Sequence, residues 1–236
     1  MSHQSDPDQR RARRRAHHER FVLEIKTECA KPGTRSKLRR GLGKDVDEVP
    51  SMHEIVAPWL PEHRSRESER AYYAVASMIA DRPRHSSDSS SRDAEPPEST
   101  VARSENEPDE KTASPYGVSL GATLAQAVFA AAPHERERRI AGTRRRLDIL
   151  VRQSTSGLHR YLPSSVRFLR QCEVEPDWAQ LLTDLTFWPD YAGDIGRRWQ
   201  QDYFRLLHKA DWDRADRDDF AVSLRGAVSP DSPTGD

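Results

Sequence analysis

The sequence predicts an all-α chain: two small helical bundles joined by a disordered linker. Three observations carry this. Apolar residues recur at three- and four-residue spacing along most of the 236 residues. No segment alternates at period two, so no sheet is expected. Residues 82–115 are dominated by Ser, Pro, Glu and Asp, with Val101 the only large aliphatic. Such a stretch cannot offset the ~1–2 kcal/mol of backbone entropy that each ordered residue costs. The expected divisions are a disordered basic arm (1–17), a first helical domain (18–81), the linker (82–115), a second bundle (116–209) and an acidic, loose tail (210–236).

The elements follow in order. Phe21, Val22, Ile25 and Cys29 share one helical face, and Pro32 and Gly33 end it. Thr34 or Ser36 caps a short helix through Lys37, Leu38, Arg39 and Arg40, stopped by Gly41 or Gly43. His53, Ile55, Val56 and Trp59 form a short helical stretch that Pro58 and Pro61 interrupt. Residues 67–81 read as a clear helix with Tyr72, Val75, Ala76 and Ile79 inward, and Pro83 stops it.

Beyond the linker, Leu120, Leu124, Val128 and Ala131 keep helical spacing up to Pro133. An arginine-rich helix is expected over 134–153, with Ile140, Leu147, Leu150 and Val151 inward. Residues 155–171 give another, with Leu158, Leu162, Val166 and Leu169 inward and a kink or split expected at Pro163. Pro176 and Asp177 open a helix that buries Trp178, Leu181, Leu182 and Leu185 and ends at Pro189. A last helix over 193–209 carries Ile195, Trp199, Tyr203, Leu206 and Leu207.

Composition narrows the function. No Walker-type, dinucleotide-binding, zinc-protease or nucleophile-elbow motif is present. His17 and His18 are adjacent and point to different sides of a helix. Asp216, Asp218 and Asp219 have no partner histidine. No enzyme, metal or cofactor is therefore expected. Cys29 and Cys172 are widely separated, outside any CxxC, and read as small buried hydrophobes of a cytoplasmic protein. No apolar run reaches the ~18 residues of a membrane span, and the N-terminal arginines lack the apolar stretch of a secretory signal. Trp59, Trp178, Trp188 and Trp199 fall on apolar faces or helix ends, where packing is the better reading than base stacking.

Net charge is zero, yet its distribution is uneven. Residues 21–44 hold seven Lys/Arg against two Glu, residues 134–170 ten Arg against three acids, and residues 171–236 seven Lys/Arg against fourteen acids. Charges are screened over about 10 Å at 0.1 M salt, so these local balances matter more than the sum. Glu135, Glu137 and Asp148 cannot neutralise ten arginines, and such crowding is relieved by a polyanion. Arg145, Arg146 and Arg152 on one helix, and Arg160, Arg167 and Arg170 on the next, are the candidates. Lys37, Arg39, Arg40 and Lys44 surround a glycine-bounded turn. They suit either helix C-capping or a backbone-binding corner, and spacing alone does not discriminate.

The segment Ser36-Lys37-Leu38-Arg39-Arg40-Gly41-Leu42-Gly43, with Val49-Pro50 and Pro58-Trp59, resembles the N-terminal signature of the CasB family, the small subunit of the type I-E CRISPR Cascade complex. Gly117-Val118-Ser119-Leu120-Gly121 is similar to its G-x-S-L-G segment. Arg145-Arg146-Leu147-Asp148-Ile149-Leu150 is similar to its arginine-bearing helix. Asp177-Trp178, Leu181-Leu182, Asp184-Leu185 and Trp188 resemble its D-W-x-x-L-L-x-D-L-x-x-W block. The long linker and the tail depart from the family pattern.

The resemblance implies a non-catalytic, all-helical subunit. Two copies associate along the complex, beside other Cascade subunits and away from membranes. Basic residues contact the CRISPR RNA and target DNA and hold the displaced non-target strand, stabilising the R-loop. Lys37, Arg39, Arg40, Arg145, Arg146, Arg152, Arg167 and Arg170 are the expected nucleic-acid contacts. Arg167→Glu with Arg170→Glu is expected to weaken strand binding and leave folding intact. The competing reading is a protein–protein scaffold whose arginines pair with acids on a partner and touch no nucleic acid.

Overall fold

The computed structural model describes residues 7–82 and 117–226. Among them the structure is helical, with no strand. Helix α1 (Pro7–Glu28) leads into α2 (Pro32–Arg39). Short 3-10 turns then flank α3 (His53–Val56) before α4 (Arg66–Ala80). The second half holds α5 (Leu120–Phe129), α6 (Arg136–Leu150), α7 (Thr155–Gln171) and α8 (Trp178–Gly226). The expected linker lies outside the described residues, apart from Arg82 at its edge.

The two groups of helices share one continuous core. Phe21, Ile25, Leu38, Met52, Tyr72 and Val75 from the first half join Leu124, Leu147, Leu162, Trp188 and Trp199 from the second. Helix α4 is central and touches α1, α2, α7 and α8. Its 15 residues bury Tyr72, Val75, Ala76 and Ile79, the face the periodicity predicts, and Ser65 caps its start by accepting from the Ser68 N–H.

Two expectations are corrected at the ends. The arginine run 10–15 was expected in a loose arm but lies on α1, which begins at Pro7. Contacts to distant sequence order it: Arg15 pairs with Asp177 at 3.2 Å, Arg14 lies over the Phe187 ring at 4.4 Å, and His18 Nδ1 bonds the Thr183 hydroxyl at 2.8 Å. The tail 210–236 was expected to be loose, but α8 continues to Gly226, and residues 227–236 lie outside the described residues. Proline also acts differently from expectation. Helix α7 runs through Pro163 unbroken, and α8 runs past Pro189 to break at Tyr191 (φ −130°, ψ 26°). Proline removes one backbone donor and crowds the preceding turn, and tertiary packing on both sides carries the chain through.

Two histidines are buried without charge. Burial, with His17 and Arg14 nearby, lowers His18 to about 4. Burial, with Arg70 nearby, lowers His159 to about 4, and neither of its ring nitrogens has a hydrogen-bond partner. Between pH 4 and the ordinary 6.5 the unfolded chain binds these protons and the fold does not. Stability is therefore full above about pH 6.5 and falls on acidification towards 4, by on the order of 3 kcal/mol per histidine. Urea melts at pH 7 and pH 4.5 should show this loss, and His159→Leu should remove part of the slope. Equal midpoints at the two pH values would mean that neither ring is held neutral.

Candidate nucleic-acid interface

Helix α2 opens with Pro32 at its first position, and Leu38 is fully buried against α4. That anchor turns Arg35, Arg39 and Arg40 to one side. On α7, burial of Val166 and Leu169 leaves Arg167 and Arg170 on the side facing α2. The end of α4 lies between them and contributes Asp81 and Arg82. Together these residues line an open groove of about 940 Å³. Six arginines against the single Asp81 leave its walls strongly positive.

Asp81 organises the groove. Its carboxylate accepts from Arg167 Nε at 2.7 Å and pairs with Arg39 Nε at 3.3 Å. The aspartate side chain is 9% exposed, whereas Arg39 and Arg167 remain 58% and 56% exposed. One nearly buried carboxylate thus fixes two guanidinium groups whose outer nitrogens still face solvent. Arg40 and Arg82 are exposed beside them.

Two groove arginines have a different job. Arg35 donates from Nε to the Ala80 carbonyl at 3.1 Å and bonds the Arg82 carbonyl. Arg170, with its side chain 8% exposed, donates to the Met78 carbonyl at 2.9 Å, pairs with Glu175 at 3.0 Å and lies 5.4 Å from the Trp178 ring centroid. Both cap the carbonyl end of α4. This corrects the expectation that Arg170→Glu leaves folding intact. A carboxylate there would face helix carbonyls and Glu175.

The remaining candidates lie elsewhere. Lys37 pairs with Glu54, away from the groove. Arg145 and Arg152 are exposed on and just after α6 and do not line the groove. Arg146 is half-buried: its guanidinium lies 3.9 Å from the Phe168 ring centroid and donates to the Gly142 carbonyl at 3.0 Å. Burial, followed by the neighbouring Arg145, lowers its pKa. Gln171 lines both the main groove and a smaller recess holding Arg138, Arg139 and Phe168. That recess also holds Glu135, which pairs with Arg139 at 3.8 Å. The thiol of Cys172 in that recess contacts Arg139 and is pushed up by burial.

Arg35, Arg82, Arg138 and Arg139 are missing from the sequence-based site. Arg35 was findable, since it stands four residues before Arg39 on the same helical face. Arg138 and Arg139 belong to the arginine-rich stretch already noted. Arg82 gave no signal, because it stands at the head of a presumed linker. Among the described residues, no group of His, Cys, Asp or Glu could hold a metal ion, and no helix is long and apolar enough to cross a membrane.

Comparison with known proteins places this arrangement. The sequence model of the CRISPR-associated protein Cse2 family matches residues 34–204. A chain of a solved CRISPR RNA-guided surveillance complex is 30% identical, with a TM-score of 0.63, covering 85% of this chain and 99% of that one. A chain of such a complex in a pre-nicking state is also 30% identical, with a TM-score of 0.64, covering 85% and 98% respectively. The crystal structure of M. ruber CasB, at 22% identity, shares the fold with a TM-score of 0.56, covering 83% and 96%. No curated protein matches.

Proposed function

The chain belongs to the CRISPR-associated protein Cse2 family, and from that premise we propose that it is a non-catalytic subunit of a CRISPR RNA-guided surveillance complex. In this reading the α2–α4–α7 groove grips the backbone of a nucleic-acid strand, the displaced non-target strand of the R-loop. The supporting observation is the pair Arg39 and Arg167, drawn from opposite halves of the chain onto one carboxylate with their outer faces open.

The physics suits the task. R-loop formation exchanges one duplex for another of similar stability, so modest protein contacts tip it. A displaced strand presents phosphates in any sequence, and arginines bind phosphate without reading bases. Association with a second copy and with the other subunits belongs to the same proposal and would add avidity to a weak individual contact.

The test is a salt titration of fluorescent single-stranded DNA against the full chain. For single strands, log K falls with log salt by about 0.7 per neutralised phosphate. The four exposed arginines Arg39, Arg40, Arg82 and Arg167 then give a slope of about −3. Arg40→Glu with Arg82→Glu, which leave both Asp81 pairs in place, should weaken binding about tenfold or more at low salt and bring the slope to about −1.4, with an unchanged circular dichroism spectrum. A protein-only scaffold would show no strand binding even at low salt, and that result would discard the proposal.

A further inference from the structure

A second recess shares no lining residue with the groove. It lies between α1 and the elbow of α8 and encloses about 460 Å³. Arg11, Arg14 and Arg15 form one wall at i, i+3 and i+4 spacing. Phe187, Tyr191 and Ile195 form the other, spaced by four residues. We propose that this recess is a second strand-binding subsite that holds one unstacked nucleotide, its phosphate against the α1 arginines and its base on Tyr191. The inference rests on the reading of the chain as a strand-binding subunit and adds a base-contacting site to it.

The carboxylates around the recess are taken up by other cations, Asp8 among them by Arg11 at 3.6 Å. Asp184 at the floor is taken up by Arg198, Trp199 and Gln180. Asp194 pairs with Arg197 at 3.2 Å, and Arg15 with Glu19 and Asp177. No carboxylate pairs with Arg14 among the described residues. It packs over Phe187 at 4.4 Å and sits beside Arg10 and Arg11, and burial and those neighbours lower its pKa. An anion at this wall would relieve that crowding.

The aromatic wall selects the kind of anion. Tyr191 is 53% exposed and stands at the one non-helical residue of α8. Its ring centroid lies 6.2 Å from that of Phe187, which also lies under the Arg14 guanidinium. An acidic peptide would satisfy the arginines but leave the exposed Tyr191 ring uncovered. A nucleotide combines the phosphate with a flat π-face, the pairing that sequence-tolerant single-strand sites use. The arginine wall precedes residues 34–204, the part of the chain that the family model matches.

The experiment uses the full chain and an oligothymidylate carrying 5-iododeoxyuridine. Ultraviolet crosslinking followed by peptide mass spectrometry should place a crosslink at Tyr191, lost in Tyr191→Ala. Tyr191→Ala and Arg14→Glu should each weaken binding about tenfold, and the effect should persist in the Arg40→Glu, Arg82→Glu background. Crosslinks confined to groove peptides, with Arg14→Glu and Tyr191→Ala binding normally, would overturn the subsite and leave the groove standing. A labelled poly-glutamate peptide binding in an Arg14-dependent way while the oligonucleotide does not crosslink at Tyr191 would also overturn it. Absence of strand binding by the unaltered chain would remove both readings.

Discussion

Asp184→Ala is expected to cost about 3–5 kcal/mol of folding stability, a large share of the 5–15 kcal/mol that holds a typical domain together. Asp184 is 2% exposed. Its Oδ2 accepts from the Trp199 indole at 2.7 Å, and its Oδ1 accepts from Gln180 at 2.7 Å and from Arg198. This one carboxylate ties the segment of α8 before the Tyr191 break to the segment after it. Burial pushes its pKa up, while Arg198, Trp199 and Gln180 pull it down. Removing the carboxylate leaves three donors facing an empty site, and leaving such groups unsatisfied is the dominant cost. Asp184→Asn, which keeps one acceptor and the volume, should cost less. Urea melts followed by tryptophan fluorescence measure both, and a loss below about 1 kcal/mol for Asp184→Ala would refute the bracing role.

Gly121→Ala is expected to be nearly as damaging, at about 3 kcal/mol. A Cβ at position 121 would lie 2.5 Å from the Trp199 carbonyl carbon, closer than any real contact. The obstacle is backbone, so no rotamer change relieves it. Helices α5 and α8 would have to separate along their shared buried face, which includes Leu124 and Trp199. Gly33→Ala is the control. It meets nothing within 4 Å, lies in α2, and should be neutral or stabilising by about 0.5 kcal/mol. Thermal melts of the two variants should therefore move apart, and similar melting temperatures would show that the close approach at Gly121 is not required.

These two residues give physical meaning to the motifs that carried the family resemblance. The final glycine of Gly117-Val118-Ser119-Leu120-Gly121 is where one helix backbone lies on another, and Ser119 caps α5 by accepting from the Ala122 N–H at 3.2 Å. In the Asp177-to-Trp188 block, Asp177 caps α8 through the Gln180 N–H at 3.0 Å and also accepts from the Val118 N–H at 3.1 Å. Trp178, Leu181, Leu182, Leu185 and Trp188 are core. The motif is a set of packing and capping instructions, which is why it identifies a fold without naming a chemical step.

Helix faces were legible because their cause is local. Leu158, Leu162, Val166 and Leu169 repeat at the helical period, and all are buried. The apolar face of α1 from Phe21 onward was legible, but the order of its first turns was not, because the groups that hold them, Asp177, Thr183 and Phe187, are far along the chain. The site was partly legible. Arg39, Arg40, Arg167 and Arg170 do line one groove, yet nothing in their sequence neighbourhood separates the exposed Arg167 from the bracing Arg170.

From the sequence alone came the helices, their apolar sides and the family, since hydrophobic period and capping residues act within one or two turns. Only the tertiary structure decided which arginines meet, which are used up as internal braces, and that Asp81 draws Arg39 and Arg167 together. A helix sets the angle of its own side chains, whereas the docking of one helix on another sets their partners. That docking is governed by the buried faces, and the charged residues are carried to wherever it leaves them.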